Sequence, residues 1–425
     1  MNYHILFSML VVISALASFL NYKLLKMPKT IGITIITLII SILVMVSFKF
    51  MPDQFARINN LLSGIDFRQT VLEVMLSYLL FAGALHVNTI DLRKHFLPII
   101  YLASFGVIVS TVLTGFLIWW ISGLLNYQIS LAFCLLFGAL ISPTDPIAVL
   151  AVFKTTKSVP KKIKMRITGE ALFNDAAGIL IFISLLGVFL HNKELSIGHI
   201  SLEILHEAIG GIVFGGVLGF LVSKLLRNVD DKQVAITMTL AVSSAGYVIA
   251  QKLGVSGPIS MVIAGLVIGR YMKKDKFKAR VVVALDSFWQ LIDEILNGFL
   301  FVLIGLEMLT IEFHVQSILL GIIGFIVIFI ARYISVSIPT LFSNIRLRKF
   351  YWRENILMSW GGIRGGISIA LALSIPSDDT VLSLTYVVVI LSIILQGSTF
   401  KWIIGKVFPE QIEPKEQLEE KRIDK

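Results

Sequence analysis

Apolar residues in this chain come in runs of about twenty, separated by short polar stretches. Examples are IGITIITLIISILVMVSF (31–48), VAITMTLAVSSAGYVIA (234–250) and VVVILSIILQGSTFKWII (387–404). About 20 apolar residues in helical form span the hydrocarbon core of a bilayer. The period-two alternation of an outer-membrane barrel is absent. The pattern therefore predicts an all-α polytopic membrane protein with about thirteen transmembrane helices. They fall near residues 4–22, 30–48, 70–87, 97–120, 129–153, 167–190, 199–223, 234–251, 257–269, 283–308, 315–340, 354–375 and 383–404. The first run, MNYHILFSMLVVISALASFL, lacks the basic leader of a cleaved signal peptide and reads as the first span.

Composition supports this reading. The 425 residues are 56% hydrophobic and 15% charged, whereas a soluble domain is about one-quarter charged. A net charge of +10 raises nucleic acid as a partner, but the placement of the charge argues against it. With the N-terminus outside, the inward loops hold Lys23, Lys26, Lys29, Arg93 and Lys94, then KTTKSVPKKIKMR (154–166). Lys224, Arg227, Lys232, RYMKKDKFKAR (270–280), RLRKFYWR (346–353) and the tail follow. Most Lys and Arg thus face inward, as positive-inside sorting requires. The partner is the lipid bilayer, and the charged tail, residues 406–425, is cytoplasmic. The single Cys134 allows no internal disulfide.

Thirteen spans divide as six, one linker and six: residues 4–190, 199–223 and 234–404. The fifth span of each half is interrupted. GALISPTDPIAVLA (138–151) carries Pro143 and Pro146, and SWGGIRGGISIALA (359–372) carries four glycines around Arg364. An intervening linker span makes the halves enter the membrane in opposite directions. Paired broken segments in two inverted six-helix repeats point to a transporter's binding site.

Polar residues cluster at these breaks. Prolines beside Asp145 free carbonyls in the preceding turn, and freed carbonyls with a carboxylate form an oxygen cage suited to hard cations. The alternative is a kink with Asp145 capping the next half-helix. In GEALFNDAAGIL (169–180), Glu170 and Asn174 share a helix face and Asp175 sits one step round. A charge at mid-membrane costs about 2.5–3.5 kcal/mol, so such residues are functional or paired. Burial favours the neutral form of a carboxylate and a nearby cation the ionised form, so one group makes proton and cation compete. Asp175 is the first choice for that group; the alternative is an interhelical hydrogen-bond partner.

Arg332, within GIIGFIVIFIARYISVSI (321–338), needs a counterion, either Glu170 or Asp175. Arg364 either offsets half-helix C-terminal dipoles or snorkels to the inner surface. Glu73 either faces the cavity as a further ligand or lies at the outer interface. Glu307 reads as interfacial, whereas Asp293, Glu294 and Asn297 fall near mid-span, with Asn297 and one carboxylate toward the bundle interior. His86 is either a pH-sensing group or a polar helix end. HExxH, GxxxxGK[ST] and a potassium-channel filter are all missing, so no enzyme or ATP-driven pump is expected and no cofactor is implied.

FNDAAG, SPTDP and GGIRGGISIALAL together resemble the NhaP-type monovalent cation/proton antiporters, which include bacterial and archaeal sodium/proton antiporters and animal sodium/proton exchangers. LLFAGALHVN (79–88), GVSGPISMVIAGLVIG (254–269), LNGFLFVLIGLE (296–307) and VVVILSIILQGSTF (387–400) extend the resemblance over roughly residues 5–405. It implies crossed broken helices in a core domain that moves against a dimerisation domain, in a homodimer of the inner membrane serving pH homeostasis. It implies that Asp175 is the exchanging carboxylate, with Asp145 and Thr144 beside it as ligands of the transported cation. Asn174 then supports the site where electrogenic relatives have a second aspartate, which suggests one-for-one exchange of Na⁺ or Li⁺ for H⁺. Glu170 with Arg332 matches the family's structural ion pair, and Arg364 its glycine-flanked arginine. Ala171 departs from the pattern, since many relatives have a serine there. K⁺/H⁺ exchange at the same site, or a channel or sensor on this scaffold, are the alternatives.

Overall fold

Residues 3–48, 67–146, 149–150, 152–153, 159–190, 197–274, 277–311, 313–341, 345–375 and 379–408 are described by the structure, a computed structural model. The tail beyond residue 408 and the start of the basic loop, residues 154–158, lie outside the described residues.

Every regular element among them is helical. In order they are α1 (Tyr3–Leu20), α2 (Lys29–Phe48), α3 (Phe67–His86), α4 (Thr89–Lys94) and α5 (Phe96–Leu124). Next come α6 (Leu131–Ile141), α7 (Lys161–Leu190), α8 (Ile197–Leu226), α9 (Lys232–Lys252) and α10 (Gly257–Lys273). The last are α11 (Ala279–Glu307), α12 (Val315–Leu341), α13 (Ile345–Trp360), α14 (Gly366–Ala372) and α15 (Asp379–Val407). Ten of these are long and apolar enough to cross a membrane: α1, α2, α3, α5, α7, α8, α9, α11, α12 and α15. The three other expected positions hold α6 with its interruption, the 17-residue α10, and the α13–α14 pair.

Helix starts follow local chemistry. Ser130 caps α6, Asp231 caps α9, and Ser256 caps α10 with Pro258 in the first turn. One boundary differs from the hydropathy expectation. α7 begins at Lys161 rather than near 167, because Lys162 and Arg166 reach the buried Glu354 on α13 at 3.5 and 2.8 Å. Apolar pattern alone misses such a turn, since tertiary ion pairs hold it.

α10 packs between α8 and α3, α6 lies on α5, α2 on α11, and α12 on α15. Small residues allow the closest approach: a Cβ on Gly265 of α10 would fall 2.7 Å from the Phe81 carbonyl of α3.

Both predicted interruptions are present. α6 ends at Ile141 and residues 142–146 are not helical; α13 ends at Trp360 and residues 361–365 are not helical. Unwound backbone at membrane depth needs partners. Here the two breaks partner each other, the Asp145 amide donating to the Ile363 carbonyl at 2.7 Å. The Arg364 amide donates at 2.9 Å to Ser392 Oγ, within a wide helical turn of α15 (Ser392–Gln396).

Candidate ion-binding site

α7 delivers three polar residues to the place where the breaks meet. Glu170 is buried, and Arg332 Nη1 of α12 lies 2.6 Å from its Oε1. Of the two counterions the sequence leaves open for Arg332, the structure supplies Glu170. The pair ties α7 to α12 and leaves Asp175 for other work.

Asn174 makes a reciprocal clamp on the first break. Its Nδ2 donates to Thr144 Oγ1 at 2.8 Å, and its Oδ1 accepts from the Thr144 amide at 3.4 Å. Both side chains are buried and neither lines the cavity described below. Asn174 thus supports the site by holding Thr144 and the non-helical backbone next to Asp145. Adjacent residues on a helix point about 100° apart, and here Asn174 faces Thr144 while Asp175 faces the cavity.

Asp145 and Asp175 do line one cavity, of about 140 Å³. Thr168 and Ala171 of α7 and Asp293 and Asn297 of α11 share its wall. Gly365 closes it beside Asp145: an added Cβ would lie 2.5 Å from Asp145 Oδ2 and 2.8 Å from its Cβ. Only glycine lets the two breaks approach this closely. Gly365→Ala should therefore displace the Asp145 carboxylate and lower the exchange rate at least about tenfold, with an overpacking cost of about 1–3 kcal/mol. Proteoliposome flux and a thermal-unfolding curve on purified protein check this; an unchanged rate would show that Asp145 need not sit where it does.

Arg364 is buried, and its Nη1 donates to the carbonyls of Ser142 and Pro143, the latter at 2.9 Å. Those carbonyls end the α6 half-helix and are among the groups freed by the prolines. The guanidinium therefore offsets the negative end of that half-helix. It does not snorkel.

Glu73 is not brought to this site. It is exposed, accepts from Gln69 Nε2 at 3.2 Å, and lines neither the cavity nor the chamber beside it. In a regular α-helix it would share a face with Leu76, Leu80 and Gly83, which do line the cavity. The wide turn Thr70–Met75 changes the phase and swings Glu73 off that face.

The cavity continues into a wider chamber of about 520 Å³, with Gly83, Val87, Leu150, Thr168, Asp293 and Asn297 common to both walls. The chamber reaches Lys29 and Glu294, which are 3.0 Å apart, and His86, whose Nε2 lies 3.2 Å from Asp286 Oδ1. Glu294 is thus a mouth residue rather than an interior one, and Glu307 ends α11 and accepts from Thr310.

Sequence reasoning missed Glu354, which is 1% exposed. It lies among basic residues at the lip of an interrupted span, and a lone acid in such a run is the signal that marks it.

Comparison with known proteins identifies the family and the fold. The sodium/hydrogen exchanger transmembrane family model matches residues 10–406. The Na⁺/H⁺ antiporter NhaP of Pseudomonas aeruginosa is 37% identical over 412 residues, covering 94% of this chain and 96% of the relative. The Na⁺/H⁺ antiporter NhaH of Halobacillus dabanensis is 31% identical, covering 91% and 93%. Among solved structures, a sodium proton antiporter from Methanocaldococcus jannaschii superposes with a TM-score of 0.74 at 20% identity, over 96% of this chain and all of that one. A family match over nearly the whole chain, with relatives above 30% identity over more than nine-tenths of it, shows that this multi-pass membrane protein belongs to the sodium/hydrogen exchanger family.

Proposed function

We propose that the chain exchanges Na⁺, or Li⁺, for H⁺ one for one across the cell's inner membrane by alternating access. The observation that carries this is the crossing of two broken helices at a cavity lined by Asp145 and Asp175. Relatives over nearly the whole chain are named Na⁺/H⁺ antiporters, which gives no support to the K⁺ alternative.

A charge count supports one-for-one stoichiometry. Asp145 and Asp175 carry two negative charges, Arg364 one positive, and Glu170 with Arg332 none in sum. Counted with Arg364, and apart from Asp293 of α11 that also lines the cavity, the exchanging pair is one charge short of neutral, and either a proton or a monovalent cation completes it. Both together would leave it positive. Carrying an uncompensated charge through the bilayer centre costs about 2.5–3.5 kcal/mol, roughly a hundredfold in the population able to cross. Only the protonated and the cation-loaded forms reorient freely, and this couples the two flows.

In this mechanism Asp175 gives up its proton and, with Asp145, holds the cation in the cavity that both carboxylates line. The Asn174–Thr144 clamp keeps the broken backbone in register with α7. The chamber reaches Lys29, which the charge bias places inward, and so opens to the cytoplasm. The core carrying the breaks moves against a dimerisation domain, for which α1 and α8, the two least buried long helices, are the candidates in a homodimer.

Proteoliposomes with an internal pH dye test the proposal. Adding Na⁺ or Li⁺ outside should move protons outward at a rate indifferent to a clamped membrane potential. No proton movement with any cation would overturn exchange; dependence on potential would overturn the one-for-one count. Ala171→Ser is a finer test. Ala171 lines the cavity one turn before Asp175, and a hydroxyl there adds a ligand oxygen. A gain of about 1 kcal/mol would tighten apparent Na⁺ affinity about fivefold. Unchanged affinity would place the cation away from that turn.

A further inference from the structure

The part of the cavity wall contributed by α11 carries polar chemistry that the exchange mechanism does not use. Asn297 of α11 is 3% exposed and lines both the cavity and the chamber. Its Nδ2 donates to Asp293 Oδ1 at 3.1 Å, one turn earlier on the same helix. A carboxylate can only accept, so the amino group must be the end facing Asp293. That fixes the amide and leaves Oδ1 over. Among the described residues Asn297 Oδ1 has no hydrogen-bond partner. A buried carbonyl oxygen without a donor is unfavourable, and in a protein wall it calls for a ligand.

The available ligand chemistry is narrow. A buried amide oxygen left over beside a carboxylate suits a hard cation and not an anion. Asp293 and Asn297 also lie on the shared wall, between the chamber mouth at Lys29 and Glu294 and the deep pair Asp145 and Asp175. We propose that Asp293 and Asn297 form a second cation-binding station for Na⁺ or Li⁺, distinct from the exchanging pair and occupied by the ion on its way between chamber and Asp175. It rests on the exchange reading above. The ion draws Oδ1 as its ligand while the Asp293 carboxylate neutralises it, and it then transfers across the cavity to Asp175. The station raises the local cation concentration facing the exchanging carboxylate, so it acts on apparent affinity rather than on turnover.

Thallium is a monovalent probe visible by its scattering, and crystals of the full chain soaked in Tl⁺ test the station directly. Two density peaks are expected, one at Asp145 and Asp175 and one at Asp293 and Asn297 Oδ1. Asp175→Asn should remove the first and keep the second; Asp293→Asn should do the reverse. Density at Asp175 alone overturns the station and leaves the exchange reading standing. Density at Asp293 alone supports the station and overturns the assignment of the exchanging pair, and density at neither overturns both. In proteoliposomes, Asp293→Asn and Asn297→Ala should each raise the apparent KM for Na⁺ about tenfold, with the maximal rate changed by less than about twofold. A lowered maximal rate at unchanged KM overturns the proposal.

Discussion

Replacing Asp175 by asparagine is expected to reduce cation-driven proton movement to the background of empty liposomes while leaving the protein folded. The side chain keeps its shape, and the cavity it lines keeps its other walls. What changes is charge. Asp145 and Arg364 then sum to zero, so neither a proton nor a cation is needed to make the site neutral. A site with no charge to complete cannot make two ligands compete, and competition is the whole of coupling in a one-for-one exchanger. Folding should survive, because Asp175 is not part of the Glu170–Arg332 pair or of the Asn174–Thr144 clamp. Removing a buried carboxylate even relieves a desolvation cost. The checks are internal pH in proteoliposomes and thermal unfolding in detergent, run on one preparation. Retained Na⁺-driven proton flux in a folded Asp175→Asn protein would end the assignment. Loss of flux with loss of folding would move Asp175 into the structural class instead.

Much of this site could be read from the chain, because membranes penalise polar groups strongly enough to make each one informative. Arg332 in a long apolar run had to have a counterion, and Glu170 supplies it at 2.6 Å. The prolines around Asp145 and the glycines around Arg364 predict the breaks, and the breaks lie there. Periodicity carries less about direction. Neighbours in sequence, Asn174 and Asp175 part company in space, one clamping Thr144 and the other facing the cavity. Glu73 fails for a related reason: a single wide turn shifts the helical phase, and no residue pattern in VLEVML announces it. Glu354 was hidden by its setting, at the very start of an expected span directly after the basic run 346–353, where two cations from α7 draw it inside. The errors are thus errors of side-chain direction rather than of element type.

Breaking the Glu170–Arg332 pair from one side should destabilise the protein by about 3–5 kcal/mol. Both side chains are almost wholly buried, and the Arg332 guanidinium has an Nε with no other hydrogen-bond partner among the described residues. Glu170→Leu alone would strand that cation against the second break, where Gly362 already lies so close that an added Cβ would be 2.8 Å from Arg332 Nε. Arg332→Met alone would strand the carboxylate one turn before Asp175. Removing both charges at once has a different outcome, because the cost of the pair is mostly desolvation and well-packed apolar replacements avoid it. The double variant Glu170→Leu with Arg332→Met should recover most of the stability lost by either single change, within about 1 kcal/mol of the parent. If the pair is a pin between α7 and α12 and nothing more, exchange returns with folding, since the charge count at Asp145, Asp175 and Arg364 is untouched. A double variant that folds yet does not exchange would mean that Arg332 sets the charge of the cavity at a distance. A double variant no more stable than the singles would mean that the two residues do not form one energetic unit, whatever their separation.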